Sequence, residues 1–267
     1  MLTLTKDRTL IMGILNVTPD SFSDGGLFIN VNNAVEHAKQ MVKDGADIID
    51  IGGESSRPGS ETISEEEELK RIMPVLQRLI EEVDIPLSID TYKPKVAEKC
   101  LNLGVNLVND ITGLRNTEMI EVAAKYNVPV VIMHMKGTPK NMQENPVYQD
   151  VIKEIKDFLS KRIFEARKAG IKDVIIDPGI GFGKTTEHNL QILKRLGEFK
   201  DLKCPILVAP SRKSFIGNVT GLSVNERLEG TLAAISIAIM NGANMVRVHD
   251  VKECKRAVQI ADAVRCA

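Results

Sequence analysis

The 267-residue chain carries 35 Lys and Arg against 36 Asp and Glu, a net charge of −1. That balance argues against nucleic acid or an anionic membrane as the main partner, because both require a basic excess. The longest apolar run, Leu232–Met240 broken by Ser236, is far short of a membrane span, and Met1–Thr9 has no signal-peptide apolar core. The widely spaced Cys100, Cys204, Cys254 and Cys266 fit reduced thiols in a cytoplasmic protein.

Short apolar runs alternate with amphipathic segments eight times. The runs are Leu10–Leu15, Ile48–Ile51, Pro86–Ile89, Val105–Val108, Pro129–Met133, Val174–Ile176, Pro205–Ala209 and Met245–Val248. Being apolar at consecutive positions and rich in Ile and Val, they predict strands buried on both faces of a parallel sheet. Between the first two, Val31, Ala34, Val35, Ala38, Met41 and Val42 form one helical stripe. A second stripe runs from Leu69 to Ile80, opened by a capping box of Ser64 and Glu67 and interrupted by Pro74; the acidic run Glu65–Glu68 suits its first turn. A third spans Val151–Ala166, and Gly45, Gly104, Gly170 and Gly242 sit where helices close before the next strand. No linker divides the chain, so the expectation is one α/β domain over residues 1–267. A (β/α)₈ barrel is favoured over an open doubly wound sheet.

In a barrel, catalytic groups project from the C-terminal ends of strands. Nearly every run here meets a polar side chain: Asn16, Asp50, Asp90, Asn109–Asp110, His134, Asp177, Ser211–Arg212–Lys213, then Arg247 with His249–Asp250. A single Asp or Asn after a strand is often only a helix N-cap, but convergence of so many on one mouth is not explained that way. Asp47, before its strand, reads as structural, and His37 and His188 as surface residues. Arg57, Lys213, Arg247 and His249 supply cationic or potentially cationic donors; Asp90, Asn109 and Asp177 supply acceptors and an amide. With Lys213 and Arg247 in the last two strand loops, a phosphorylated substrate is expected. Gly179-Ile-Gly-Phe-Gly-Lys-Thr185 looks like a nucleotide loop but fails both templates, with Pro178 and Lys184 where glycines belong.

The chain resembles dihydropteroate synthase from about Ile11 to Val251. The resemblance rests on Asn16-Val-Thr-Pro-Asp-Ser-Phe-Ser-Asp24, Asp50-Ile-Gly-Gly-Glu-Ser-Ser-Arg-Pro-Gly59, Ser88-Ile-Asp90-Thr, Asn109-Asp, Met133-His-Met-Lys-Gly-Thr-Pro139, Asp177-Pro-Gly-Ile-Gly-Phe182, Ser211-Arg-Lys-Ser-Phe215 and Arg247-Val-His249. It implies condensation of 6-hydroxymethyl-7,8-dihydropterin diphosphate with 4-aminobenzoate, in a sulfonamide-target family. It further implies that Asp90, Asn109, Asp177 and Lys213 hold the pterin, with Met133 and Phe182 packing near its ring. Asn16, Ser56, Arg247 and His249 are implied for the diphosphate, Phe22, Arg57, Pro58, Lys213 and Ser214 for the aminobenzoate, and Asn16 with Asp24 for Mg²⁺. Asp90, Lys213 and Asn16 are the implied catalytic residues, and a homodimer through late helices is implied as well. Ser56 departs from the family's more frequent threonine, and Ala209-Pro210 from its usual glycine. A methyltetrahydrofolate-binding corrinoid methyltransferase is the alternative enzyme, and a pterin-binding barrel without turnover the non-enzymatic one. The methyltransferase would have little use for Ser211-Arg-Lys-Ser214 and Arg247-Val-His249, since no diphosphate leaves, and the binding barrel would be signalled by loss of Lys213, Asp90 or the Asn16 loop, all of which are intact.

Overall fold

The computed structural model of the chain describes residues 8–18 and 27–267, of which residues 27–30 by backbone alone. Within them the apolar runs become strands and the amphipathic segments helices, in alternation except for two successive helices before the last strand. These are β1 (Leu10–Asn16), α1 (Leu27–Asp44), β2 (Ile48–Gly52), α2 (Glu65–Glu82), β3 (Leu87–Asp90), α3 (Pro94–Leu103), β4 (Leu107–Asp110), α4 (Thr117–Tyr126), β5 (Val130–Met133), α5 (Val151–Lys168), β6 (Val174–Asp177), α6 (Thr186–Lys194), β7 (Leu207–Val208), α7 (Ser214–Thr220), α8 (Leu228–Met240), β8 (Met245–Val248) and α9 (Val251–Cys266). All ladders are parallel, in the order β6-β5-β4-β3-β2-β1-β8-β7. A parallel bridge from Ile176 to Ile206 joins the two ends. The sheet therefore closes into the expected barrel, and the open-sheet alternative falls.

Two apolar layers follow from the two-residue period of a strand. One set of side chains faces the helices in a large buried cluster that includes Ile11, Ile49, Ile51, Ile89, Val108, Val130, Ile132 and Ile176. The alternate set, Leu10, Met12, Ile48, Leu107, Val131, Ile175, Leu207 and Met245, packs together and fills the interior. The barrel interior is thus plugged beneath its mouth.

Local differences from the sequence reading have local causes. The fourth strand begins at Leu107, two residues after the start of its apolar run, because the Val105 amide bonds back to Cys100 in the α3 turn closed by Gly104. The seventh shrinks to Leu207–Val208 between Pro205 and Pro210, which have no N–H to give a ladder. The four helix-closing glycines all take positive φ, from 94° to 111°. α2 runs on through Pro74. Ser64 caps it at the Glu67 amide (3.2 Å), but the Glu67 carboxylate turns to Arg71 (2.9 Å), so only half of the expected capping box forms. Asp47 is structural, as expected, accepting from Arg8 and from the Ile11 amide.

Glu68 departs most from its sequence reading. It is not a solvated first-turn carboxylate; it is fully buried and paired with Lys93 at 2.7 Å. Lys93 also holds Glu54 at 2.5 Å, and Glu54 accepts from the Tyr92 hydroxyl at 2.8 Å. Removing one member of such a buried group leaves uncompensated charge. Lys93→Ala is expected to cost about 3–5 kcal/mol in urea unfolding. Lys125→Ala, which breaks the exposed pair with Glu98, should cost under about 1 kcal/mol. Similar costs for the two would refute the distinction.

Candidate active site at the barrel mouth

One inward step above the apolar plug, the interior turns polar. Two residues after Ile48 comes Asp50; after Leu107, Asn109; after Ile175, Asp177; after Met245, Arg247; and Asp90 follows Ser88 in the same way. The parallel register sets Gly52 beside Asp90, Asp90 beside Asn109, and Met133 beside Asp177. The alternation that buries the plug therefore also assembles the site.

Arg247 is the hub. Its Nε donates to Asp50 Oδ2 at 2.6 Å and its Nη2 to Asp90 Oδ2 at 2.7 Å, while Asn109 Nδ2 donates to the same Asp50 oxygen at 2.9 Å. Asp50 is fully buried, and its Oδ1 has no partner among the described residues. Burial pushes the Asp90 carboxyl up to about 7, Arg247 pulling it back and the Asp50 charge adding to the rise. Asp177 rises to about 6 through burial, although the Gly179 amide (2.7 Å) and Lys213 favour its charged form.

Lys213 leads into α7 and lays its Nζ 4.1 Å from the centre of the Phe182 ring. Burial and the Arg247 charge bring its pKa down to about 8 against the pull of Asp177 and Asp90. His249 is not a cation here: burial and then Arg247 lower it to about 4, and its Nδ1 lies 3.0 Å from Ser211 Oγ. It is a neutral hydrogen-bonding group at pH 7, which corrects its grouping with the cations. Met133 and Phe182 join Ile111, Met135 and Met142 in a separate apolar cluster, with Tyr92 against it.

The outer residues sit on loops. Asn16 ends β1 and lies beside Gly52 and Asp90: a Cβ built on Gly52 would stand 3.6 Å from Asp90 Cβ and 3.9 Å from Asn16 Oδ1. Ser56 is half-buried and Arg57 and Pro58 exposed on the loop after β2, which is tied to the loop after β5 by a 3.0 Å bond from the Gly59 amide to the Pro139 carbonyl. Ser214 is exposed at the start of α7. Phe22 and Asp24 lie outside the described residues, in which no three His, Cys, Asp or Glu converge as a metal site.

Sequence reading set Asp50 among the polar residues of the mouth but gave it no role, although its inward parity two positions after Ile48 was there to find. It missed the brace of Glu54 and Lys93 beneath the β2 loop, and the partner of His249, Ser211. Those two depend on contacts across the barrel that no local pattern carries.

A floor of carboxylates and an amide beneath cations and an apolar wall defines a barrel enzyme for a flat, hydrogen-bonding ring that bears an anion. The family model described as pterin binding enzyme matches residues 12–249. Dihydropteroate synthase of Clostridium beijerinckii is 51% identical over 262 residues, covering 97% of this chain and 95% of that protein. The Escherichia coli enzyme is 46% identical over 259 residues, covering 96% and 92%. Among solved structures, dihydropteroate synthase of Clostridium difficile in the presence of pteroic acid superposes with a TM-score of 0.93 at 50% identity, covering 99% of each chain. That of Xanthomonas albilineans with 4-aminobenzoic acid gives 0.93 at 44%, covering 100% of this chain and 96% of that one. The chain belongs to the pterin-binding enzyme family and, within it, to the dihydropteroate synthases.

The hub makes a testable statement about charge. In the ligand-free protein, carboxyl ¹³C NMR is expected to show Asp90 titrating near neutrality, above the ordinary carboxylate range. In Asp50→Asn its midpoint should fall, because a like charge is gone and Arg247 is left to Asp90 alone. An unchanged midpoint would sink this account of the site.

Proposed function

We propose that this chain joins 6-hydroxymethyl-7,8-dihydropterin diphosphate to 4-aminobenzoate, releasing 7,8-dihydropteroate and pyrophosphate. The observation that carries the reading is the Asp50, Asp90, Asn109 and Asp177 floor under Arg247 and Lys213. The amide and amino edge of a pterin offers paired donors that a carboxylate accepts, and Asp177 with Asn109 supplies that match. Phe182 and Met133 bound the ring. A methyltransferase releases no anion and would leave Arg247 and Lys213 without a task.

The reaction breaks the bond between the pterin methylene and the diphosphate oxygen and forms one from that carbon to the arylamine nitrogen, which then loses a proton. Arg247 can turn from Asp50 and Asp90 toward the diphosphate, with Asn16, Ser56 and the neutral His249 as hydrogen-bonding partners, and so stabilises the charge of the leaving group. Asp90, freed from Arg247, offers its carboxylate to the positive charge on the pterin. The arylamine is already neutral at pH 7, so no strong base is needed. Arg57 and Pro58 on their loop, with Phe22, Lys213 and Ser214, hold the aminobenzoate, and loop closure excludes water. The hard oxygens of Asn16 and Asp24 suit Mg²⁺, which takes few protein ligands beside substrate phosphates. When bound it would share the diphosphate charge.

The same reading makes residues 1–267 one domain and places the protein in the cytoplasm; no helix among the described residues is long and apolar enough to cross a membrane. Dihydropteroate synthase of Yersinia pestis is a solved complex with a sulfonamide drug, and this chain is proposed as a target of that class, with Ser56 in the aminobenzoate loop. We further propose a homodimer. The late helices leave Val219, Ile237, Met240, Ile260 and Val264 exposed, an apolar surface of the kind that copies of a chain cover.

Pyrophosphate release with Mg²⁺ tests the chemistry. Turnover is expected to require 4-aminobenzoate, to yield dihydropteroate, to fall below pH 7 as Asp90 takes up a proton, and to drop by about 10²-fold or more in Lys213→Ala. Pterin binding without product would overturn the reading. For the assembly, light scattering should give two copies for the wild type and one for the Ile237→Glu, Met240→Glu double variant; a wild-type monomer refutes the dimer.

A further inference from the structure

The stretch Gly179–Thr185 fails as a nucleotide loop, yet it places a lysine in an unusual position. Lys184 is 2% exposed and has no carboxylate within ion-pair distance among the described residues. Its Nζ donates to the Phe182 carbonyl at 2.9 Å and the His134 carbonyl at 3.2 Å, and lies 3.0 Å from His134 Nδ1. Three ammonium hydrogens thus meet three neutral acceptors. His134 is buried, its ring edge-on to Phe158 at 5.1 Å. Burial, then the Lys184 charge, hold its pKa far below the usual imidazole range, so the ring is neutral and its Nδ1 can accept.

A buried cation without a carboxylate is costly. Burial brings Lys184 down to about 7, with Asp177 opposing. For bracing alone, a neutral side chain would do at less cost. The two carbonyls it grips belong to the end of β5 and the loop after β6, directly beside Met133 and on Phe182 itself. The segments are already in contact: Gly179, at φ 71°, passes so close that a Cβ there would stand 1.9 Å from the His134 carbonyl oxygen. Phe182 in turn carries Lys213 over its ring. We propose that Lys184 is a positioning residue for the pterin pocket, its ammonium clamping the His134 and Phe182 carbonyls so that the Phe182 ring and Lys213 stay in register at the pocket wall. This rests on the synthase reading given above.

The test uses the full chain and two readouts: equilibrium binding of pterin-6-carboxylate by its fluorescence, and steady-state kinetics with both substrates. Lys184→Met keeps the length of the side chain and loses every hydrogen bond. It is expected to weaken pterin binding and raise the KM for the pterin diphosphate about tenfold, with the KM for 4-aminobenzoate within about twofold of wild type. A variant with a lowered Tm and wild-type pterin affinity would show Lys184 to be a structural brace only, and the proposal falls. If Lys184→Met does not fold, Lys184→Gln decides: its amide ends one atom short of the lysine Nζ and cannot hold both carbonyls as the ammonium does, and it should still weaken pterin binding about threefold. No change there also overturns the proposal. A wild type that binds the pterin but makes no product refutes the synthase reading and leaves the clamp to the binding readout; one that binds no pterin refutes both.

Discussion

Arg247 ties four strands of the mouth together. It rises from β8, reaches Asp50 on β2 and Asp90 on β3, and through Asp50 is linked to Asn109 on β4. Two carboxylates this deep are tolerable only with a cation between them, and the apolar plug beneath gives water no route from below. The rest of the site depends on that arrangement. It keeps Asp90 poised between its charged and neutral forms, with one guanidinium shared between two carboxylates.

The loops above the floor are fixed by a repeated device, a buried or half-buried charge gripping two segments distant in sequence. Lys93 joins the β2 loop, through Glu54, to α2 through Glu68. Lys184 joins β5 to the β6 loop. Arg212, at φ 56°, sends its Nε to Asp250 at 2.9 Å while its amide donates to Thr231 at 3.0 Å, fixing the turn that delivers Lys213. Lys93 and Lys184 are expensive to bury, and all three cations sit one to three residues from a group assigned to substrate. Arg57 and Pro58, by contrast, remain exposed at the tip of their loop, where an arriving substrate could gather them.

The barrel was legible because strands buried on both faces must be apolar at consecutive positions, and the eight runs show it. The polar residues at the ends of the runs were legible as candidates because so many converge on one mouth, which helix capping alone does not explain. Boundaries failed where hydrogen bonding overrode composition, as at Val105 and around Pro205 and Pro210. Glu68 failed because it stands in an acidic run of four, whose members look alike in sequence; only the rotation of α2 against α3 decides which of them meets Lys93.

The sequence by itself determined the alternation of elements, the closed parallel architecture and most of the polar residues at the mouth, since these follow from side-chain periodicity and from motifs a few residues long. Only the tertiary structure decided that Asp50 shares Arg247 with Asp90, that His249 is neutral against Ser211, and that Lys184 is buried among carbonyls. Those outcomes turn on ångström-scale approach between groups as much as 197 positions apart, where burial sets the charge state and no local pattern records the neighbour.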